Sequence, residues 1–160
     1  MNKIVIDTSP LIVLFKTQLA ILLPQLFSEI VVPSGVWAEV VEAGKTDLAS
    51  RQLPTVSWVE QTDVSEISPL ISAWGLDLGE SEVLSFALHN NAYRAIIDDA
   101  AARRVAKTLS ISFMGTLGII LLAKKRDLIP SITEPISAIQ DAGLWMGEDL
   151  IQFLKQRAGE

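Results

Sequence analysis

Ile4-Val5-Ile6-Asp7-Thr8-Ser9-Pro10-Leu11 is a short β-branched run that ends in an acid and turns at once into a helix start. Val and Ile suit a pleated strand because two heavy atoms on Cβ restrict χ1. Ser9 and Pro10 read as an N-cap and a first helical position, where proline has no useful N–H to lose and its fixed φ fits the helix. The same grammar recurs three times downstream. Ile30-Val31-Val32 passes into Pro33-Ser34 and a helical pattern through about Ala43. Ala95-Ile96-Ile97 runs into Asp98-Asp99 and an Ala/Arg-rich helix to about Leu109. Ile111-Ser112-Phe113-Met114 meets Gly115-Thr116 and a helix carrying Leu117, Ile120, Leu121 and Ala123. Four strand-then-helix units predict the α/β class with a mainly parallel sheet.

Between these units, Val56-Ser57-Trp58-Val59 alternates weakly and reads as an edge strand, while Leu70 to Trp74 and Gly79 to Asn90 read as helices. From Pro135 onward, Ile136, Ile139, Leu150, Ile151 and Leu154 recur at helical spacings around Gly143 and Gly147, which predicts two closing helices. No repeat, low-complexity tract or long linker divides the chain, and 160 residues fit one domain spanning 1–160. Hydrophobic residues make up 49% and charged residues 20%, enough apolar side chain for a sizeable core. The longest apolar stretch, Leu117 to Ala123 broken only by Gly118, is far shorter than the roughly 18 residues of a spanning helix. Asp7 also interrupts the run from Ile4 that a secretory leader would need, so cytoplasm and no membrane are the expectation.

The absent residue types exclude most chemistries. With no cysteine there is no disulfide, thiol nucleophile or thiolate metal site, and His89 is the single histidine. A Ser-His-Asp hydrolase or a His-rich zinc site would depend on that one imidazole. Carboxylate is plentiful, 19 Asp plus Glu against 13 Lys plus Arg, so any metal site uses oxygen ligands and a hard ion, Mg²⁺ or Mn²⁺. The net charge of −6 speaks against a broad basic face for duplex DNA.

In open α/β sheets, ligands bind beyond the carboxyl ends of the strands. Asp7 and the Asp98-Asp99 pair stand at such ends, although Asp is also a favoured N-cap. Glu80 lies over Val83, Leu84 and Ala87 on the apolar face of its helix, where an unpaired acid is costly. Glu82, about 200° round the helix from Glu80, is expected to face solvent. A capping box from Asp77 to Glu80 is the competing account of the spacing. Glu39 shares a flank with Val36, Val40 and Ala43 and is either a surface acid or a fourth member of the cluster. Carboxylates gathered without matching cations need a compensating charge, which a divalent metal supplies.

These residues together resemble the PIN domain. The resemblance rests on Asp7-Thr8-Ser9-Pro10-Leu11, Glu39, Gly79-Glu80-x-Glu82-Val83-Leu84-x-x-Ala87, Asp98-Asp99-x-x-Ala102-Arg103-x-x-Ala106, and Gly115-Thr116-Leu117-Gly118 followed by Ala123-Lys124. It spans nearly the whole chain and is nearest to the small prokaryotic PIN proteins of the VapC toxin type. It implies a three-layer fold with a sheet of four or five strands flanked by helices, closed by the helices from about residue 135. It also implies an acidic pocket that binds one or two Mg²⁺ or Mn²⁺ ions and cuts RNA. By motif position the implied catalytic metal ligands are Asp7, Glu39, Glu80 and Asp98, with Asp99 a rival to Asp98. Thr8, Ser9, Arg103 and Thr116 are the implied substrate-binding residues, and Thr116 stands where many PIN nucleases carry a further Asp. A homodimer and a small antitoxin partner follow from the same resemblance.

Other cations and aromatics have structural readings beside functional ones. Arg103, Arg104 and Lys107 follow the Asp98-Asp99 turn, and Arg103 either meets the RNA backbone or pairs with a pocket carboxylate. Lys124, Lys125 and Arg126 suit a helix C-terminus, as does His89. Trp37, Trp58, Trp74 and Trp145 read as core or dimer-surface residues. Two alternatives to a nuclease are weaker. A phosphatase of the haloacid-dehalogenase type needs a second Asp where Ser9 stands, and a receiver domain puts its acidic pair near the first strand and its phosphoacceptor centrally. An interaction module that binds itself and an antitoxin-like partner, with little or no catalysis, is the remaining rival.

Overall fold

The computed structural model describes residues 2–160. The first half runs β1 (Lys3–Ile6), α1 (Thr8–Lys16), α2 (Leu22–Leu26), β2 (Glu29–Pro33), α3 (Ser34–Trp37), a π-helical turn over Ala38–Glu42, α4 (Leu48–Gln52), a 3₁₀ turn at Leu53–Thr55 and β3 (Glu60–Thr62). The second runs α5 (Pro69–Ser72), α6 (Leu78–His89), β4 (Tyr93–Ile96), α7 (Ala100–Thr108), β5 (Phe113–Met114), α8 (Thr116–Lys125), α9 (Thr133–Asp141) and α10 (Glu148–Ala158). The sheet has five strands in the order β3-β2-β1-β4-β5, and every pairing is parallel. The α/β expectation therefore holds, with the sheet wholly parallel.

Helices cover both faces of the sheet, so its strands are apolar without alternation. Ile4, Val5 and Ile6 are all fully buried, as are Ala95, Ile96 and Ile97. The chain leaves β1 for β2 on one side and returns to β4 on the other. The topological switch point thus lies at β1, between Asp7 and Asp98 at the carboxyl edge. Asp7 N–H donates to the Ile96 carbonyl at 3.1 Å, which carries the β1–β4 ladder up to that edge.

The edge strand differs from the sequence expectation. Pairing with β2 is made by Glu60–Thr62, with Val31 opposite Glu60, and residues 56–59 lie before the strand. Trp58 instead stacks on Phe15, ring centroids 6.1 Å apart, and anchors the approach to β3. The apolar alternation marks a loop tied to the core, and the polar triplet makes the ladder. The two closing helices are present as α9 and α10, separated by a turn in which Gly143 takes φ +112. Among the described residues no helix is long and apolar enough to cross a membrane.

Candidate metal centre

Asp7 occupies the N-cap position of α1, yet its side chain makes no capping hydrogen bond. Only 5% of the residue is exposed. Its carboxyl is pushed up to about 7, chiefly by loss of solvent and then by Asp77, Glu39 and Asp98, against a lowering contribution from the Thr8 N–H. An acid held this way is not serving a helix start. Asp99 does serve one, because its Oδ2 accepts the Ala102 N–H at 3.0 Å at the head of α7.

Asp98 is held differently. Its Oδ1 accepts the Thr116 N–H at 2.8 Å and its Oδ2 the Thr116 hydroxyl at 2.6 Å, while Arg103 Nη2 stands 3.7 Å from Oδ1. Arg103 also donates from Nε to the Ile97 carbonyl at 3.1 Å and lays its guanidinium over the Phe113 ring. Gly115 leaves room for this, since a Cβ there would collide with the guanidinium and lie 2.8 Å from Asp98 Oδ1. Arg103 thus braces the β4–α7 turn beside the pocket. Thr116 is fully buried, so its hydroxyl serves Asp98.

Glu39 sits in the π-helical turn that continues α3, and such turns recur at functional sites because they shift side chains off the α-helical register. Its Oε2 accepts the Thr8 hydroxyl at 2.7 Å. Glu80 lies in the first turn of α6, where Asp77 Oδ1 caps its N–H at 2.8 Å. The Asp77 half of the expected capping box is present, and Asp77 also adds charge to the cluster. The Glu80 carboxyl is raised to about 7 by burial first and then by Asp77, Asp99, Asp7 and Glu39.

Gly79 shows how closely these acids converge. A Cβ on Gly79 would lie 2.8 Å from Glu39 Oε1 and 3.4 Å from Asp7 Oδ1, so only hydrogen fits between α6 and the carboxylates. Gly79→Ala is expected to displace Glu39 and weaken Mn²⁺ binding by about tenfold or more. Calorimetric titration checks it, and an unchanged affinity would remove Gly79 from the account.

A cavity of about 410 Å³ opens beside the cluster, lined by Glu80, Asp98, Asp99 and Ser9 with Ile12 and Leu144 among its apolar residues. A larger groove of about 800 Å³ lies against α8 and α10, but none of the clustered acids lines it. The smaller cavity is the relevant one because the chemistry-bearing groups converge there. Of the predicted set, the structure brings Asp7, Glu39, Glu80, Asp98 and Asp99 to one edge, with Thr8 and Thr116 beneath them and Ser9 exposed. Among the outlying cations, Lys124 donates to the Pro130 carbonyl at 2.6 Å and Arg126 to the Leu26 carbonyl at 3.3 Å, which are structural roles.

Among the described residues no group of three acids is drawn together tightly enough to form a finished ion cage. The donor chemistry nonetheless fits a hard divalent cation. All the converging groups are carboxylates, two are held protonatable near neutrality by burial and mutual repulsion, and among the described residues the cation paired with them is Arg103, on Asp98. Divalent metal use is general in PIN domains.

Glu82 corrects the sequence reading. It is only 5% exposed, and its Oε1 accepts the Gly35 N–H at 3.0 Å. Helical spacing predicts a solvent face on α6, but Gly79, Ser81, Ser85 and Ala87 are also buried and α3 packs against the side that carries Glu82. Small residues distributed around one helix were the available sign of burial on several sides. The tryptophans also divide: Trp37 and Trp58 are partly buried against the core, whereas Trp74 is 48% and Trp145 85% exposed.

A family model described as a PIN domain matches residues 3–160. A comparison with curated proteins found no match. The parallel sheet and flanking helices agree with the PIN fold, which is of nuclease type. With nearly every residue inside the matched span, the chain belongs to the PIN domain family.

Proposed function

We propose that the protein is a divalent-metal-dependent endoribonuclease, and that Asp7, Glu39, Glu80 and Asp98 hold one or two Mg²⁺ or Mn²⁺ ions. The observation that carries this reading is the convergence of Asp7 and Glu39 above Gly79, with both Asp7 and Glu80 raised to about 7. Acids that repel one another in a partly desolvated pocket are poised to exchange protons for a cation.

When bound, the metal supplies water activation and charge neutralisation for in-line attack on a phosphodiester. The chain's own residues prepare the site. Thr8 orients Glu39, and Thr116 fixes both oxygens of Asp98, so each carboxylate presents a set direction without reorganisation. Arg103 sets the position of Asp98 and leaves its outer edge to the cavity. Ser9, exposed at the same cavity, is the hydroxyl placed to meet a phosphate oxygen. Asp99, committed in part to capping α7, sits at the rim and helps to repel a second anion.

The toxin role, a small antitoxin partner and a homodimer belong to the same proposal. The apolar residues left exposed near the carboxyl end, Trp145 at 85% and Phe153 at 53%, support a protein partner. The test is cleavage of a labelled RNA panel in Mn²⁺, Mg²⁺ and EDTA, with Glu80→Gln alongside. Metal-dependent cutting that the variant lacks is expected. If Mn²⁺ supports no cutting and does not raise the melting temperature of wild type, the nuclease reading fails and an interaction module becomes the better account.

A further inference from the structure

We propose that Glu82 is a positioning residue that clamps the first turn of the helix delivering Glu39, and so sets where Glu39 stands in the acidic cluster. The inference rests on the metal-site reading for its consequence, but the clamp itself is a property of the metal-free chain. Glu39 reaches the cluster on a short helical arm, α3 followed by the π-helical turn Ala38–Glu42. Nothing on the arm caps its start, because the N-cap residue is Pro33 and offers no side-chain hydrogen bond. A helix start leaves N–H groups without partners, and they need acceptors from elsewhere.

Glu82, from outside the arm, meets that need at one N–H, and a second acid holds the same turn through a side-chain hydroxyl. Glu82 of α6 accepts the Gly35 N–H at 3.0 Å across 47 residues of chain, and Asp63, just past β3, accepts the Ser34 hydroxyl. Both carboxyl groups stand at a helix N-terminus, where the aligned peptide dipoles favour acceptor oxygens. The fit is tight: a Cβ on Gly35 would stand 2.6 Å from Glu82 Oε2 and 3.0 Å from both Oε1 and Cδ. Glycine at 35 and glutamate at 82 are therefore one device. Further along the arm the Thr8 hydroxyl holds Glu39 at 2.7 Å, so the arm is held both at its start and at Glu39.

The geometry also explains why the Gly79-Glu80-x-Glu82 segment carries two acids. Glu80 faces the cluster, whereas Glu82 points to the opposite flank of α6 and grips the arm that brings in Glu39. One helix thus supplies one cluster acid directly and positions another through its backbone.

The test uses the full chain with two readouts. Hydrogen exchange across residues 35–42 of the metal-free protein reports the clamp, and Mn²⁺ titration reports its consequence. Glu82→Ala is expected to speed exchange across that segment and to raise the Mn²⁺ Kd by about 10–100-fold. Glu82→Gln, which keeps an oxygen for the Gly35 N–H, restores both toward wild type. Gly35→Ala reproduces the defect, and adding it to Glu82→Ala brings little further loss because the collision has gone. In a Glu39→Gln background, Glu82→Ala leaves the Mn²⁺ Kd where Glu39→Gln alone puts it. Unchanged exchange in Glu82→Ala overturns the clamp, and an equal loss of Mn²⁺ affinity without Glu39 overturns its action through Glu39. If Glu82→Ala does not fold, Gly35→Ala and Glu82→Gln decide by the same two readouts. If wild type binds no Mn²⁺, the metal reading fails, while the exchange comparison still decides the clamp.

Discussion

Asp7→Asn is expected to abolish RNA cleavage and, in the same metal-free protein at pH 8, to make the fold more stable. The two effects share one cause. Asp7 is buried at the carboxyl edge beside Glu39 and Asp98, and its ordinary value of 3.8 is raised to about 7. Between those pH values the folded chain holds a proton that the unfolded chain has released, so stability rises as pH falls from about 7 towards 4. Above 7 the folded protein carries the whole cost of a buried, repelled charge. Replacing the carboxylate with a neutral amide of the same shape removes that cost, a gain on the order of 2–4 kcal/mol. It also removes a charged oxygen that a divalent ion needs. Thermal melts at pH 8 and pH 5 check the stability half: the variant should melt above wild type at pH 8, with the gap narrowing at pH 5. A variant that melts lower at both pH values would mean that Asp7 is structural, and a variant that still cuts would exclude it from the site.

The second large effect is the pH dependence of metal binding. Asp7 and Glu80 both lose their protons near 7, so below that pH an entering ion must displace two protons. The apparent Mn²⁺ affinity should therefore fall by about two decades for each pH unit below 7 and level off above 8. Titrations in buffers of different ionisation enthalpy count the released protons directly. Glu80→Gln should reduce the slope to about one. A slope near zero in wild type would mean that the ion binds elsewhere, or through acids that are already ionised.

Much of this is legible in the sequence. Asp7 and Asp98 follow short β-branched runs, and because a parallel sheet gathers strand ends at one edge, their meeting follows from topology. Choosing between capping and cluster roles was not possible from sequence, since an Asp before a helix looks alike in both. The hydrogen bonds separate them: Asp99 caps and Asp7 does not. Thr8 and Thr116 were visible as hydroxyls, but their burial beneath Glu39 and Asp98 depends on packing between segments 31 and 18 residues apart. Glu82 was misread because a helical wheel assumes one wet face, and α6 is enclosed on more than one side. The edge strand stands at Glu60–Thr62, and Trp58 of the expected strand stacks on Phe15 instead.

The position of β1 has a consequence for biosynthesis. The first strand made is the middle strand of the sheet, paired to β2 with Lys3 opposite Glu29 and to β4 with Lys3 opposite Tyr93. Glu39 can join Asp7 once β2 and the helical arm behind it have docked, but Asp98 joins only after β4 has been translated. Asp98 is not fixed until Thr116 arrives. A nascent chain therefore carries Asp7 without a complete centre until Thr116 has followed it, and distant pairings of this kind form slowly. The order of the strands delays assembly of the centre until β4 and the start of α8 have joined β1.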